Sequence, residues 1–392
     1  MPAAKAAYRS RKVEALAARE LDPEERLNWL RLCRTETIGP ISFYAMLRRF
    51  GSARAALEGL PRLARRVEHG RTVTAVTRAA AEAELTDLAR VGGRLICWGE
   101  PAYPSALAAV EDAPPILAVL GHAELLGRPM VAVVGARNAS ANGRRIARDL
   151  AGSLGRAGLV VISGLARGID AEAHLGAIAT GTVAVQAGGV DIVYPAENRG
   201  LYEAIARQGA IVAELPLGSE PQARHFPRRN RIISGMTLGV VVVEAAAHSG
   251  SLITARFALE QGREIFAVPG SPLDPRCRGS NDLLRHGATL AETADDVVSQ
   301  LGPLTQLEIP RRRTPAVPTA NLPMPSIGGP VEPVADDAGL DRVLRLLGPT
   351  PVPVDELVRQ CQLTAAAVAT LVLELELVGR VERHPGNLVS LR

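Results

Sequence analysis

The chain has 392 residues, 47% of them apolar, a net charge of +4 and only 3% aromatic side chains. Such a length suits about two or three domains with real cores. No apolar stretch approaches membrane-spanning length, and the opening Met-Pro-Ala-Ala-Lys lacks the basic head and apolar core of a secretory signal, so a cytosolic protein is expected. Cys33, Cys97, Cys277 and Cys361 stand far apart and make neither a CxxC pair nor a cluster with histidine, so neither a metal nor a cofactor is expected. The only lysines are Lys5 and Lys12, which excludes a Walker-type Gly-Lys-Ser/Thr loop and a Schiff-base lysine in the folded region.

Residues 1–92 read as a helical domain. Leu27, Leu30, Leu32 and Ile38 lead into Thr37-Ile-Gly-Pro40, after which Phe43, Met46, Leu47 and Phe50 recur at helical spacing. The turn at Gly39 has two readings, an ordinary αα-hairpin and a helix-hairpin-helix that grips phosphate through backbone amides.

Residues 93–300 change period. Strand-like runs fall at 94–98, 116–120, 130–134, 159–162, 182–186, 210–214, 239–243 and 264–268, most of them separated by helix-length segments. Continuous Val/Ile runs mean strands buried on both faces, so the fold class is α/β with a doubly wound parallel sheet.

Residues 301–338, rich in proline with Arg311-Arg-Arg313, read as a flexible linker. Residues 339–392 then predict helices at 340–347, 354–360 and 364–378 and two short strands at 380–382 and 388–391 around Pro385-Gly386-Asn387, the layout of a winged helix. Its third helix has no basic residue and carries Glu374 and Glu376, which argues against groove reading and for protein contact or a structural role. Arg380 and Arg383 on the wing leave a phosphate contact open.

Four glycine-rich turns lie where strands should hand over to helices, at the carboxyl ends that face one crevice in this architecture. The first, Val133-Val-Gly-Ala-Arg-Asn-Ala-Ser140, offers Gly135, Arg137 and Ser140; Arg137 reads as a phosphate ligand or as a surface arginine. The second, Ser163-Gly-Leu-Ala-Arg-Gly-Ile-Asp170, offers Ser163, Gly164 and Arg167. The third, Gly188-Gly-Val-Asp191 with Tyr194-Pro195, is less decisive, since tight turns alone are a sufficient reading of its glycines. The fourth, His248-Ser-Gly-Ser251, has Ser249, Gly250 and Ser251 to cap a helix or cradle an anion.

The most informative segment is Arg224-His-Phe-Pro-Arg-Arg-Asn-Arg231, in a window from Pro221 to Val243 without a carboxylate. Phe226 beside Arg224, Arg228, Arg229 and Asn230 is how single-stranded nucleic acid is held, a ring stacked on a base with guanidinium groups on phosphates. For Arg229 and Arg231 a buried pair with Glu214 or Glu244 is the competing reading. His174, His225 and His248 lack a nucleophile and orienting carboxylate at informative spacing and read as structural or surface residues.

These segments, with Phe266-Ala-Val-Pro-Gly270, closely resemble the DNA-processing protein A family (DprA, also called Smf) over roughly residues 94–288. The resemblance implies a Rossmann-like DNA-binding domain between a SAM- or helix-hairpin-helix-like front domain and a winged helix. It implies a bacterial, non-enzymatic homodimer without a membrane role that binds and protects incoming single-stranded DNA in natural transformation and loads a RecA-type recombinase. Arg137 and Phe226 would line the DNA pocket, with Arg224 as the nearest cation because Ala223 stands where many members have lysine. The alternative, a nucleotide phosphoribohydrolase of the LOG type, has a similar arginine turn, but its Pro-Gly-Gly-x-Gly-Thr motif is replaced here by Ala246-Ala-His-Ser-Gly-Ser251.

Overall fold

The computed structural model describes residues 20–67, 73–302, 337–384 and 387–392. The expected linker at 301–338 therefore lies outside the described residues apart from two positions at each end, as do Pro385 and Gly386 of the expected wing turn.

Four helices come first: α1 (Pro23–Arg34), α2 (Pro40–Phe50), α3 (Ala53–Val67) and α4 (Arg78–Arg90). Asp22 caps α1 by accepting from the Glu25 amide, and Pro23 sits at its first position, where a missing N–H costs nothing. Gly51 ends α2 in the left-handed region, φ 82°. Trp29 and Phe43 pack edge to face at 4.9 Å in the core between α1 and α2.

The α/β part runs β1 (Gly93–Cys97), α5 (Ser105–Ala108), β2 (Ile116–Gly121), β3 (Met130–Val134), α6 (Ala141–Arg156), β4 (Val160–Ser163), α7 (Ile169–Ala177), β5 (Thr182–Val185), α8 (Arg199–Gln208), β6 (Ala210–Ala213), α9 (His225–Gly235), β7 (Gly239–Val242), α10 (Gly250–Glu260), β8 (Glu264–Ala267), α11 (Arg278–Arg285), β9 (Thr289–Leu290) and α12 (Ala294–Leu301). The sheet order is β1-β2-β6-β5-β4-β3-β7-β8-β9. From β6 to β9 every pair is parallel, and the winding reverses between β3 and β7. The expected doubly wound parallel sheet is extended at one edge by antiparallel strands: β1 and β2 pair antiparallel, and β2 pairs antiparallel with β6. Strand composition reports burial and carries no direction, so the hairpin was invisible in it. Residues 130–134 and 160–163 are buried on both faces, as their unbroken apolar sequences require.

The last described part is a winged helix: α13 (Asp337–Leu346), β10 (Val352–Pro353), α14 (Val354–Cys361), α15 (Ala365–Leu377), β11 (Val381–His384) and β12 (Leu388–Leu391), with sheet order β10-β12-β11. Its core gathers Val343, Leu357, Val368, Leu371, Leu375 and Val389. The chain forms two compact units. One is the α/β part. The other unites residues 22–81 with the winged helix, so the two end modules, separate in the sequence reading, pack on each other through α15 against α2 and α3. Among the described residues no helix is long and apolar enough to cross a membrane.

Candidate nucleic-acid interface

The turn after β3 is built around a carboxylate from the neighbouring strand. Ser140 caps α6 by accepting from the Gly143 amide at 2.9 Å, while its own amide donates to Glu244 at 2.9 Å and its hydroxyl donates to the same group. A Cβ on Gly143 would stand 2.5 Å from the Glu244 carboxyl carbon, and one on Gly135 would strike Ile169 at 2.6 Å. The N-terminus of α6, at the point where strand order reverses, thus already holds an anion supplied by the protein. Ser140, expected to face DNA, is engaged by Glu244 instead.

The turn after β4 is also organised inward. Ser163 is fully buried and donates to the Val133 carbonyl at 2.7 Å. Asp170 accepts from the Gly164 and Ala166 amides at 3.2 and 3.4 Å; burial pushes its carboxyl up, opposed by Arg229 and these amides. Arg229, 6% exposed, donates to the Val185 carbonyl at 3.1 Å. Burial holds its pKa down at about 10, with Asp170 acting in the opposite sense. Ser163 and Arg229 are therefore supports of the turn rather than ligands, a correction to the expectation for both. Arg231 follows its competing reading: it donates to Glu214 at 2.7 Å and to the Asp112 carbonyl at 2.6 Å.

What remains at the surface converges. The Arg137 guanidinium lies 5.1 Å from the centroid of the Phe226 ring, a cation–π contact between the first turn and the start of α9. The Tyr194 ring sits 5.7 Å from Phe226, tilted by 56°, and is 42% exposed. Pro227 falls in the first turn of α9, where it is tolerated. Arg224 and Arg228 are exposed, the latter 3.9 Å from Glu214. Arg137 also borders an open cavity of about 600 Å³ lined by Asn138, Arg144, Arg167, Glu197 and Asn198 among others; Arg167 reaches Glu197 at 3.3 Å.

The fourth turn joins this surface through Asn230, whose side-chain amide donates to the Gly250 carbonyl at 3.4 Å. Ser249 caps α10, and its hydroxyl lies 2.7 Å from that of Ser251. Ser251 is 8% exposed and lies inside the first turn of α10, its amide donating to the Ser249 hydroxyl. Gly250 has open space around its α-carbon. Tyr194, named in the sequence with the third turn but given no role there, is brought beside Phe226 by the fold. Among the described residues no group of histidine, cysteine and acidic side chains is fit to hold a metal.

The fold and this surface define a class: a Rossmann-like α/β domain carrying a cationic and aromatic platform at the carboxyl ends of its strands, flanked by a helical hairpin module and a winged helix. The sequence profile of DNA recombination-mediator protein A matches residues 94–302, that of the DprA-like N-terminal HHH domain residues 23–86, and that of the DprA winged helix domain residues 330–387. Protein Smf of Escherichia coli is 37% identical over 330 residues, covering 80% of this chain and 82% of that protein. DNA processing protein DprA of Bacillus subtilis is 44% identical over 202 residues, 51% of this chain and 68% of that one. The X-ray structure of DprA from Streptococcus pneumoniae superposes with a TM-score of 0.60 at 30% identity, covering 72% of this chain and all of that one. The chain belongs to the DprA/Smf family of DNA-processing proteins.

Proposed function

We propose that the protein binds single-stranded DNA on the Arg137–Phe226–Tyr194 platform, protects it, and passes it to a RecA-type recombinase in the cytosol, without turnover of its own. The observation that carries this reading is the guanidinium of Arg137 on the ring of Phe226. A ring and a cation sharing one exposed surface serve a polymer that alternates bases and phosphates. Arg224 and Arg228 extend the positive surface along α9, and Gly250 leaves room for close approach of a backbone.

A homodimer formed through the Rossmann-like domain, which would set two platforms side by side, belongs to the same proposal. The exposure of Leu273 and Leu290, 90% and 46%, supports it, Leu290 lying on the edge strand β9. Light scattering of the purified protein measures this directly.

The test of binding is a titration of labelled oligo-dT and of a matched duplex at two salt concentrations. Tight binding of the single strand that weakens with salt is expected, because each neutralised phosphate releases counterions. Equal or absent binding would overturn the reading. Release of free base from nucleoside monophosphates would instead favour the phosphoribohydrolase alternative.

A further inference from the structure

The hairpin Thr37-Ile-Gly-Pro40 delivers the chain into α2, whose N-terminus is the part of such a module suited to hold a phosphate. That place is filled from within the same unit. Ser42, in the first turn of α2, is fully buried, and its hydroxyl donates to the Glu376 carboxylate of α15. The same oxygen of Glu376 accepts from Arg383 Nε on β11 at 3.1 Å, and its other oxygen lies 4.0 Å from where a Cβ on Gly39 would stand. Thr37, held at φ 72°, donates to the terminal carbonyl of Leu377 at 2.9 Å. At the other end of α2, Arg49 pairs at 3.7 Å with Glu374, whose side chain is 1% exposed.

An otherwise apolar helix therefore meets the hairpin module through its two carboxylates. A carboxylate beside a helix N-terminus and on its first-turn hydroxyl occupies the place a backbone phosphate would take, while Arg49 offers the module a cation at the far end of α2. We propose that α15 is an intramolecular latch that masks a second nucleic-acid surface: docked, Glu376 stands in for a phosphate at the hairpin; undocked, the module presents Gly39, Ser42 and Arg49 to a nucleic-acid backbone. A winged-helix third helix without a basic residue then has a reason to be acidic. Burial raises the Glu376 carboxyl, opposed by the contacts of Ser42 and Arg383.

The inference does not rest on the Arg137–Phe226 platform, and its test silences that platform. In full-length protein carrying Arg137→Ala and Phe226→Ala, binding of labelled oligo-dT and duplex is compared with and without Glu374→Gln/Glu376→Gln, while hydrogen exchange follows α2 and α15. The latch variant is expected to lose protection in α15 and to gain at least tenfold in affinity, and adding Arg49→Ala should abolish the gain. A control, Asp355→Asn/Glu382→Gln, neutralises two exposed carboxylates of the same domain and should leave affinity flat. The milder Thr37→Val should give a smaller gain in the same direction in a fully folded protein. Retained protection of α15, opening without new binding, or a gain that the control reproduces or that survives Arg49→Ala overturns the proposal.

Discussion

The guanidinium of Arg229 lies so close to Gly164 that a Cβ on residue 164 would stand 1.5 Å from its Nη1. The arginine has nowhere to retreat, since that nitrogen is bonded to the Val185 carbonyl and the side chain is buried beside Asp170. Gly164→Ala should therefore destabilise the α/β unit by about 3 kcal/mol, the scale of overpacking combined with a displaced buried charge. Urea denaturation measures this, and an unchanged midpoint would show that the turn yields.

His174 makes stability depend on pH. It is fully buried, with Nδ1 2.7 Å from the Thr182 hydroxyl, which itself donates to the Val161 carbonyl, so Nδ1 carries the proton and donates. Burial, with the nearby charge of Arg229, holds its pKa down at about 3 from 6.5. The unfolded chain takes up the proton first, so this contribution is complete above pH 6.5 and is lost as pH falls from there toward 3. Asp170 acts in the opposite sense: its raised carboxyl favours folding under acid conditions, and that contribution is lost as pH rises through the folded value. The difference between wild type and His174→Gln isolates the histidine and should change by about 1.4 kcal/mol per pH unit below 6.5. Parallel profiles would refute the assignment.

Glu244 serves as a built-in anion for α6, and its removal should leave that helix N-terminus empty. Glu244→Ala is expected to cost about 2 kcal/mol, a cap plus a charge–dipole contact. Sulfate should raise the melting temperature of the variant more than that of the wild type, because the ion can occupy the vacated site. Equal increments in both proteins would mean that the site closes.

At the platform, Arg137→Ala combined with Phe226→Ala should weaken single-strand binding by several kcal/mol. Stacking is worth about 1–3 kcal/mol per base, and a charge-assisted contact adds about 1.5–3 kcal/mol. Tyr194→Ala alone should cost about 1 kcal/mol by the same stacking argument. Fluorescence anisotropy reads both variants, and an unchanged affinity in a folded double variant would move the interface elsewhere.

Much of the architecture was legible because burial writes itself into composition. Met130–Val134 and Gly239–Val242 are central strands, and only apolar residues suit both faces. β10 left no such mark: it is two residues long and one is Pro353. At the site, residue types were legible and directions only partly so. Arg229 and Arg228 are adjacent and identical in chemistry, yet one is a buried strut and the other a surface cation. Helical spacing separates them, since Arg229 lies three and four residues before the inward Ile232 and Ile233. Ser163 is harder, because a hydroxyl that ends a strand reads alike whether it bonds a ligand or the adjacent strand's carbonyl.

The hairpin module finds its counterpart very late in the chain: Thr37 bonds to Leu377 across 340 positions and Ser42 to Glu376 across 334. During synthesis the whole Rossmann-like unit emerges between these two halves, and its mostly sequential βα connections allow it to fold before they meet. Closing so long a loop then falls as a final step, one that the finished α/β unit shortens by drawing most of the intervening chain into a compact body. Synthesis of Glu376 and Leu377, after the α/β unit has already emerged, sets the earliest time at which the hairpin module can meet its counterpart.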